Sequence, residues 1–428
     1  MVKLRFFSGI EGEVGGNQIL LEDGETKILL DFGINFGRWR SFFSFPLSRP
    51  RGVEDYFRVG LIPKELRDRE TGLVGGVDAC IITHPHSDHY AGICALPSGE
   101  NAIPVYLGQA THRILKAKLE SRRSAEAKAM AQLDFKTYRT GDRLQIGDVE
   151  IRPWHVDHST PGAYVLIIHT TGGTIVYTGD FRLHGSFGKK LTQKGDQFWQ
   201  KLEGEEIQAL ICEATNFGEP VNPISEEEVE RLMHKCVEAC RGLVIVNTST
   251  SDVDRLRTIC RVAKETQRQV IATKYFWPVL EALQEDEKLN APKPKVDVIP
   301  YEEAVDEIKK RQSDYILLTS FYREKEILEV EPVPGSYFIL SSSEPFEEEG
   351  EIEFSRLKNW LNLFGVPIYH VHTSGHAFPM HLMQVIEALS PKLLYPVHTE
   401  APQALARMAE SLPGVCAVLP EKGVEYRL

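Results

Sequence analysis

Cysteine is scarce: seven residues in 428, with no Cys-x-x-Cys pair. That excludes a disulfide-built secreted scaffold and a zinc ribbon. Cys80, Cys94, Cys212, Cys236, Cys240, Cys260 and Cys416 are expected as buried, reduced thiols, with Cys236 and Cys240 on one helical stripe. No apolar run approaches the roughly 20 residues that a membrane helix needs. The opening MVKLRFFSGIEGEVGG lacks the apolar core and cleavage site of a signal peptide. A cytoplasmic protein with no membrane partner is therefore expected. Basic residues are in deficit, 49 against 61 acidic, for a net charge of −12. A protein that coats nucleic acid non-specifically is thereby disfavoured, although a local basic groove is not. Repeats and low-complexity tracts are missing too. What remains is 42% hydrophobic and 26% charged, an ordinary globular composition long enough for two or three packed domains.

One stretch concentrates chemistry. IITHPHSDHYAG, residues 81–92, places His84, His86, Asp88 and His89 within six positions, after the apolar run Ala79–Ile82. Desolvating four such groups unpaired costs several kcal/mol each, whereas two divalent cations would use all of them. In an extended segment His84 and His86 fall on one side, leaving Asp88 and His89 to turn toward a second centre.

Elsewhere the chain alternates between short strands and helices. Asp23-Gly24, between NQILLE and TKILLDFG, is a hairpin signal. Asp31 closes the second strand of that pair, where its carboxylate can accept hydrogen bonds from the metal loop or serve as a plain turn residue. Residues 36–56 interleave Arg38, Arg40, Arg49 and Arg51 with Trp39, Phe42, Phe43 and Phe45. Arginine with aromatics suits phosphate contact and base stacking; a loop packed on a neighbouring domain or subunit is the alternative. A helix is expected over about 109–132, and a hairpin over 142–153. His158 precedes a Pro161-Gly162 turn into a buried strand, and TIVYTGDFR ends a further strand at Asp180.

From about residue 218 the texture changes. Ser225 with Glu228 forms a capping box, and strand-like and helical segments then alternate through YFILSSS. That pattern predicts a parallel sheet with helices on both faces. The acidic run from Glu347 to Glu353 reads as a solvated loop edge. After about 357, loops carry His370, His372, His376 and His398.

These candidates assemble into a two-metal centre. His84, His86 and His158 would give one ion three nitrogens, Asp88, His89 and His398 would hold the second, and Asp180 would bridge them. HPHSDH, the lone His158, TGDFR and the late His398 resemble the five motifs of the metallo-β-lactamase superfamily, with Asp31 standing for the first. The 218 residues from Asp180 to His398 exceed what a minimal member needs, and their alternating part resembles the inserted β-CASP domain of the nucleic-acid-processing branch. Glu213 in CEATNFG resembles that branch's motif A, His376 in TSGHA motif B, and His398 in PVHTE motif C. Histidine rather than valine at motif C is the pattern of RNA-processing members, and GEVGGNQILLEDG, SGHA and PVHTE are similar to the ribonuclease J group. Three features depart from it: the chain stops 30 residues after His398, SSSEPFEEEG lacks a Pro-Gly-Asn-Glu turn, and motif C reads His-Thr-Glu instead of His-Gly-Glu.

The resemblance implies an α/β fold, a metallo-β-lactamase αββα sandwich (residues 1–217 and 357–428) with a β-CASP domain inserted at 218–356. It implies a metal-dependent ribonuclease, endonucleolytic or 5′-to-3′ exonucleolytic, in which hydroxide activated by two metals attacks phosphorus. The ions would be Zn²⁺, with Mn²⁺ as the alternative, and the substrate single-stranded RNA. Catalytic roles fall to Asp88, His376 (protonating the leaving oxygen) and Glu213 (orienting a ligand histidine). Substrate contacts fall to Ser341, Ser342 and Ser374; strand-end serines capping a turn are the alternative for the first two. Assembly stays open between monomer and homodimer. A DNA-directed nuclease, another metallo-hydrolase of the fold and an inactive RNA-processing scaffold are the competing readings.

Overall fold

The computed structural model describes residues 1–428 except 45–47, 123, 187–197, 203, 219, 221, 223, 285, 287, 288, 290, 321–323 and 344–347. Phe45 of the arginine–aromatic stretch and Glu347 of the acidic run lie outside the described residues.

Two seven-stranded sheets pack face to face. In strand Thr26–Phe32, Ile28 and Leu30 point into the space between the sheets, and Leu29 points to the opposite face. Alternation with both sets apolar is what a strand buried on both sides requires. The first sheet runs, in space, Glu425–Arg427, Val2–Ser8, Gln18–Asp23, Thr26–Phe32, Ala79–Ile82, Val105–Gly108 and Phe135–Tyr138. Its chain-terminal half is antiparallel, and it becomes parallel from Thr26–Phe32 onward. The second runs Cys416–Ala417, Leu393–Val397, Ile207–Glu213, Gly173–Tyr177, Ala163–Thr170, Val149–Val156 and Leu144–Ile146. Phe6, Ile19 and Ile81 of one sheet meet Ile151, Leu166 and Ile211 of the other. Helices cover both outer faces, through Leu115 and Leu119 on the first sheet and Leu382 and Ile386 on the second. The result is an αββα sandwich, the architecture that the resemblance implied.

A third sheet of six strands lies within the segment that follows Glu213. Its order is Val298–Pro300, Gln269–Ala272, Tyr315–Thr319, Val244–Asn247, Tyr337–Leu340 and Ile368–His370, and every pairing is parallel. Separate apolar clusters fill its two faces. The boundary expected at 356 falls inside the helix Glu348–Leu363, and the edge strand Ile368–His370 also belongs to this sheet. We therefore take the return to the sandwich to follow His370.

Three local expectations change. The helix expected over 109–132 is two helices, Gln109–Glu120 and Ala125–Met130, because the Ser124 side chain caps a new start by accepting from the Ala127 amide. The acidic run opens a helix and not a loop, since Phe354, Leu357 and Leu361 recur at helical spacing and are buried. Cys416 is exposed, whereas Cys80, Cys94, Cys212 and Cys240 are buried free thiols. The arginine–aromatic stretch forms two short helices, with Trp39 and Phe43 packed against the first sheet's outer core and Phe42 half exposed. Among the described residues no helix is long and apolar enough to cross a membrane.

Candidate metal centre

The site forms where strands of the two facing sheets end. Asp31 closes strand Thr26–Phe32 at φ +53°, a left-handed conformation that aspartate tolerates better than most residues. Its fully buried carboxylate accepts from the Thr83 amide (2.7 Å), the Thr83 hydroxyl (2.8 Å), His89 Nδ1 (2.7 Å) and the Tyr177 hydroxyl (2.6 Å). This one side chain thereby pins the loop after strand Ala79–Ile82 and holds His89 Nδ1 as a donor, which directs Nε2 at the cluster. The backbone must approach closely here. A Cβ on Gly33 would lie 1.6 Å from the Asp88 carbonyl oxygen.

Three imidazoles converge first. His86 Nδ1 lies 3.1 Å from His84 Nε2 and 3.0 Å from His158 Nε2. His158 donates its Nδ1–H to the Gly375 carbonyl at 2.6 Å, which leaves Nε2 as the free donor to a cation. A second group joins Asp88, whose Oδ2 is 3.2 Å from His398 Nε2 and 3.8 Å from His89 Nε2. His398, also left-handed at φ +54°, is held by the Thr215 hydroxyl on Nδ1 at 2.7 Å. Between the groups sits Asp180. Its Oδ2 lies 3.4 Å from His84, 3.2 Å from His89, 3.7 Å from His398 and 4.0 Å from His158.

His376 completes the ring of groups. Its Nδ1 lies 3.5 Å from Glu213 and 3.8 Å from Asp180. Glu213, fully buried at the end of strand Ile207–Glu213, accepts from the Thr215 and Ala377 amides at 2.9 and 3.1 Å. It therefore ties the loop bearing His376 to the loop that orients His398.

The electrostatics follow from burial and neighbours. Burial drives His84 and His158 far below the usual imidazole range, and His86 down to about 4. Burial also opposes charge on His89, yet Asp180 and Asp31 outweigh it and hold that ring protonated well above the usual range. His376 behaves similarly: burial is overcome by Glu213 and Asp180, and its value rises to about 9. Burial alone would raise Asp180, but His398, His89 and His376 keep it ionised.

These donors fit divalent cations. His84, His86, His158 and Asp180 can each offer an atom within 4.8 Å of the others, as can Asp88, His89 and His398, and Asp180, His376 and His398. His89 Nε2, Asp180 Oδ1 and His376 Nδ1 are buried without a well-formed hydrogen bond. Such unsatisfied buried atoms are costly and rare unless a ligand supplies the partner.

The serines behave differently. Ser341 is buried, donates to the Val371 carbonyl at 2.7 Å and accepts from Arg255 at 2.5 Å. Its hydroxyl faces the interior, and this arrangement gives no support to the expected phosphate contact. Ser342 donates to Asn247 Oδ1 at 3.0 Å. The Ser374 hydroxyl exchanges hydrogen bonds with the Asn216 amide and accepts from the His376 amide at 3.1 Å, which braces the loop of His376. His372 stands 3.4 Å from Arg255, apart from the metal groups. Sequence reasoning did not single out Thr83, Tyr177, Thr215 and Asn216. Only Thr83, directly preceding His84, carried a local signal.

Comparisons with known proteins give similarities of sequence and fold. Residues 61–199 match the family described as beta-lactamase superfamily domain. A ribonuclease J of Sinorhizobium meliloti is 29% identical over 337 residues, covering 76% of this chain and 58% of the relative, so the chain spans less than two thirds of that protein's length. Ribonucleases J of Mycoplasma genitalium (24% identical, 98% of this chain, 71% of the relative) and Thermus thermophilus (27%, 97%, 72%) match along nearly the whole chain. A crystal structure of a protein of unknown function from Enterococcus faecalis V583 superposes with a TM-score of 0.76 at 22% identity, covering all of both chains. That last likeness concerns the fold alone.

Proposed function

From the beta-lactamase superfamily match over residues 61–199 and the similarity to ribonucleases J, we propose that the chain is a metal-dependent ribonuclease, hydrolysing RNA phosphodiester bonds endonucleolytically or from the 5′ end. The observation that carries this reading is the convergence of seven metal-capable side chains with His376 and Glu213 on one buried centre. His84, His86 and His158 would hold one cation and Asp88, His89 and His398 the other, with Asp180 reaching both. Two divalent ions, when bound, supply water acidified to a pKa of about 7 and neutralise charge on phosphoryl oxygens. Zinc suits the imidazole-rich donor set, and manganese the carboxylates.

The chain's own residues supply the remaining steps. His376, kept as imidazolium by Glu213 and Asp180, donates the proton that the leaving oxygen needs. Glu213 orients that ring and, through the Thr215 amide, steadies the residue that holds His398. Thr83 and Asp31 keep His89 facing inward.

The test incubates the protein with Zn²⁺ or Mn²⁺ and 5′-labelled RNA or DNA of matched sequence, beside a His376→Ala variant. Metal-dependent shortening of the RNA is expected, with a rate loss on the order of 10²–10⁴ in the variant. Release of labelled mononucleotide marks the exonucleolytic mode, and labelled fragments the endonucleolytic one. Cleavage of DNA alone, or equal cleavage by the variant, would overturn the reading.

A further inference from the structure

Just beyond the metal cluster lies a second set of charges that the proposed chemistry does not use. Among the described residues, Arg182 and Arg255 are the two largest fully buried side chains. Burying a guanidinium is expensive unless its donors are met by well-placed acceptors. Arg182 Nε donates to Asp157 at 3.2 Å, Nη1 to Glu226 at 3.0 Å and to the Ser374 carbonyl at 3.4 Å, and Nη2 to Asp254 at 3.1 Å. Glu226 in turn takes Arg255 Nη2 at 2.9 Å and Nε at 3.3 Å, and Arg255 Nη1 continues to the Ser341 carbonyl at 2.9 Å.

The four acceptors of Arg182 come from separate parts of the fold. Asp157 directly precedes His158, and the Asp157 carbonyl also accepts from the Arg182 amide at 2.7 Å. The Ser374 carbonyl, shared with His184 Nε2 at 2.8 Å, lies one residue before the Gly375 carbonyl that fixes the His158 tautomer. The Ser374 hydroxyl braces the His376 amide. Glu226 and Asp254 open the helices Glu226–Ala239 and Val253–Glu265, which flank the third sheet. Arg182 thus joins the residue before His158, the loop that carries Gly375 and His376, and the inserted domain.

We propose that Arg182 is a positioning residue, coupling the seating of the inserted domain to the geometry of His158 and His376. With the insertion seated, Glu226 and Asp254 hold the guanidinium in the orientation that presents His158 Nε2 to the cluster. When those carboxylates withdraw, Arg182 is left charged, buried and half satisfied, and its hold on Asp157 and Ser374 loosens. The inference concerns residues of the proposed metal centre and so rests on that reading.

The test uses the whole chain with Arg182→Lys, Asp254→Asn and a matched control, Arg268→Lys. Arg268 is likewise bound to backbone, donating to the Gly242 carbonyl at 2.7 Å, within the inserted domain and apart from the cluster. Zn²⁺ affinity is measured by competition with a chromophoric chelator, alongside thermal midpoint, kcat and KM on RNA. Lysine keeps the charge but cannot reach four acceptors. Arg182→Lys and Asp254→Asn are expected to weaken Zn²⁺ binding about 10–100-fold. A further fall in kcat on the order of 10² with KM within about threefold would follow from displaced groups. Arg268→Lys should lower the thermal midpoint without either change. Unaltered Zn²⁺ affinity in both Arg182→Lys and Asp254→Asn would overturn the proposal, whatever happens to the midpoint. Should Arg182→Lys fail to fold, Asp254→Asn decides by the same criterion. The metal titration needs no RNA, so absence of RNA cleavage by the wild-type chain would sink the ribonuclease reading while leaving this inference to its own result.

Discussion

Replacing Asp31 tests the claim that a single carboxylate organises the metal loop. Alanine would remove the acceptor for the Thr83 amide, His89 Nδ1 and the Tyr177 hydroxyl, while the Thr83 hydroxyl can turn to His84 Nδ1, 3.1 Å away. Three stranded donors at about 1–3 kcal/mol each, with about 1 kcal/mol or more for alanine at φ +53°, total roughly 4–10 kcal/mol. That is comparable to the whole stability of a domain, about 5–15 kcal/mol, so Asp31→Ala is expected to be largely unfolded. Asparagine keeps the backbone conformation. Its amide nitrogen fits best where Oδ1 now meets the Thr83 amide, a donor facing a donor, and its oxygen still accepts from His89 and Tyr177. One stranded donor and three hydrogen bonds stripped of charge assistance cost about 4 kcal/mol, and a thermal midpoint roughly 8–16 °C lower follows. Because His89 keeps its tautomer but loses its charged anchor, metal affinity should fall about 10–100-fold. Differential scanning calorimetry and a competitive Zn²⁺ titration read both quantities. If Asp31→Asn melts within about 2 °C of wild type and binds Zn²⁺ within about twofold, the account of Asp31 is wrong.

Three further outcomes are expected. Gly33→Ala should unfold the chain or displace Asp88, because the added methyl would meet main-chain atoms that cannot yield; near-native melting and metal binding would contradict the packing. Chelation should lower the thermal midpoint, and metal at one hundred times its Kd should restore about 2.7 kcal/mol; identical unfolding curves with and without chelator would refute a metal held by the folded state. Stability of the metal-free chain should peak near pH 6.5, as read by urea unfolding at acid, neutral and alkaline pH. Burial lowers His86 to about 4 and His184 to about 3, so their contribution is complete above the unfolded value of 6.5 and is lost as pH falls toward those values. His376, raised to about 9, contributes fully below 6.5 and loses that contribution as pH rises through 9. A monotonic profile would contradict these assignments.

How much of this site could be read from the chain depended on how far apart its interacting groups lie. His84, His86, Asp88 and His89 share one loop, so their spacing alone marked them as candidate donors, and His158, Asp180 and His398 joined them because each lies just beyond the end of a strand. Roles that depend on orientation were not legible. Ser341 stands at a strand end like a phosphate contact, yet Arg255, 86 positions earlier, turns its hydroxyl inward. The acidic run at the start of helix Glu348–Leu363 looked like solvated loop, since the apolar positions that bury it, Phe354, Leu357 and Leu361, follow the run. Arg182 shows the limit most clearly. In TGDFR it is one arginine after a metal-site motif, indistinguishable from a surface charge. Its four acceptors come from positions 157, 226, 254 and 374, which only the folded chain brings together. A donor set can be recognised locally because a cation demands several ligands at short range. What aims those ligands is long-range, because an aiming group must be anchored in parts of the fold that the ligand's own loop does not reach.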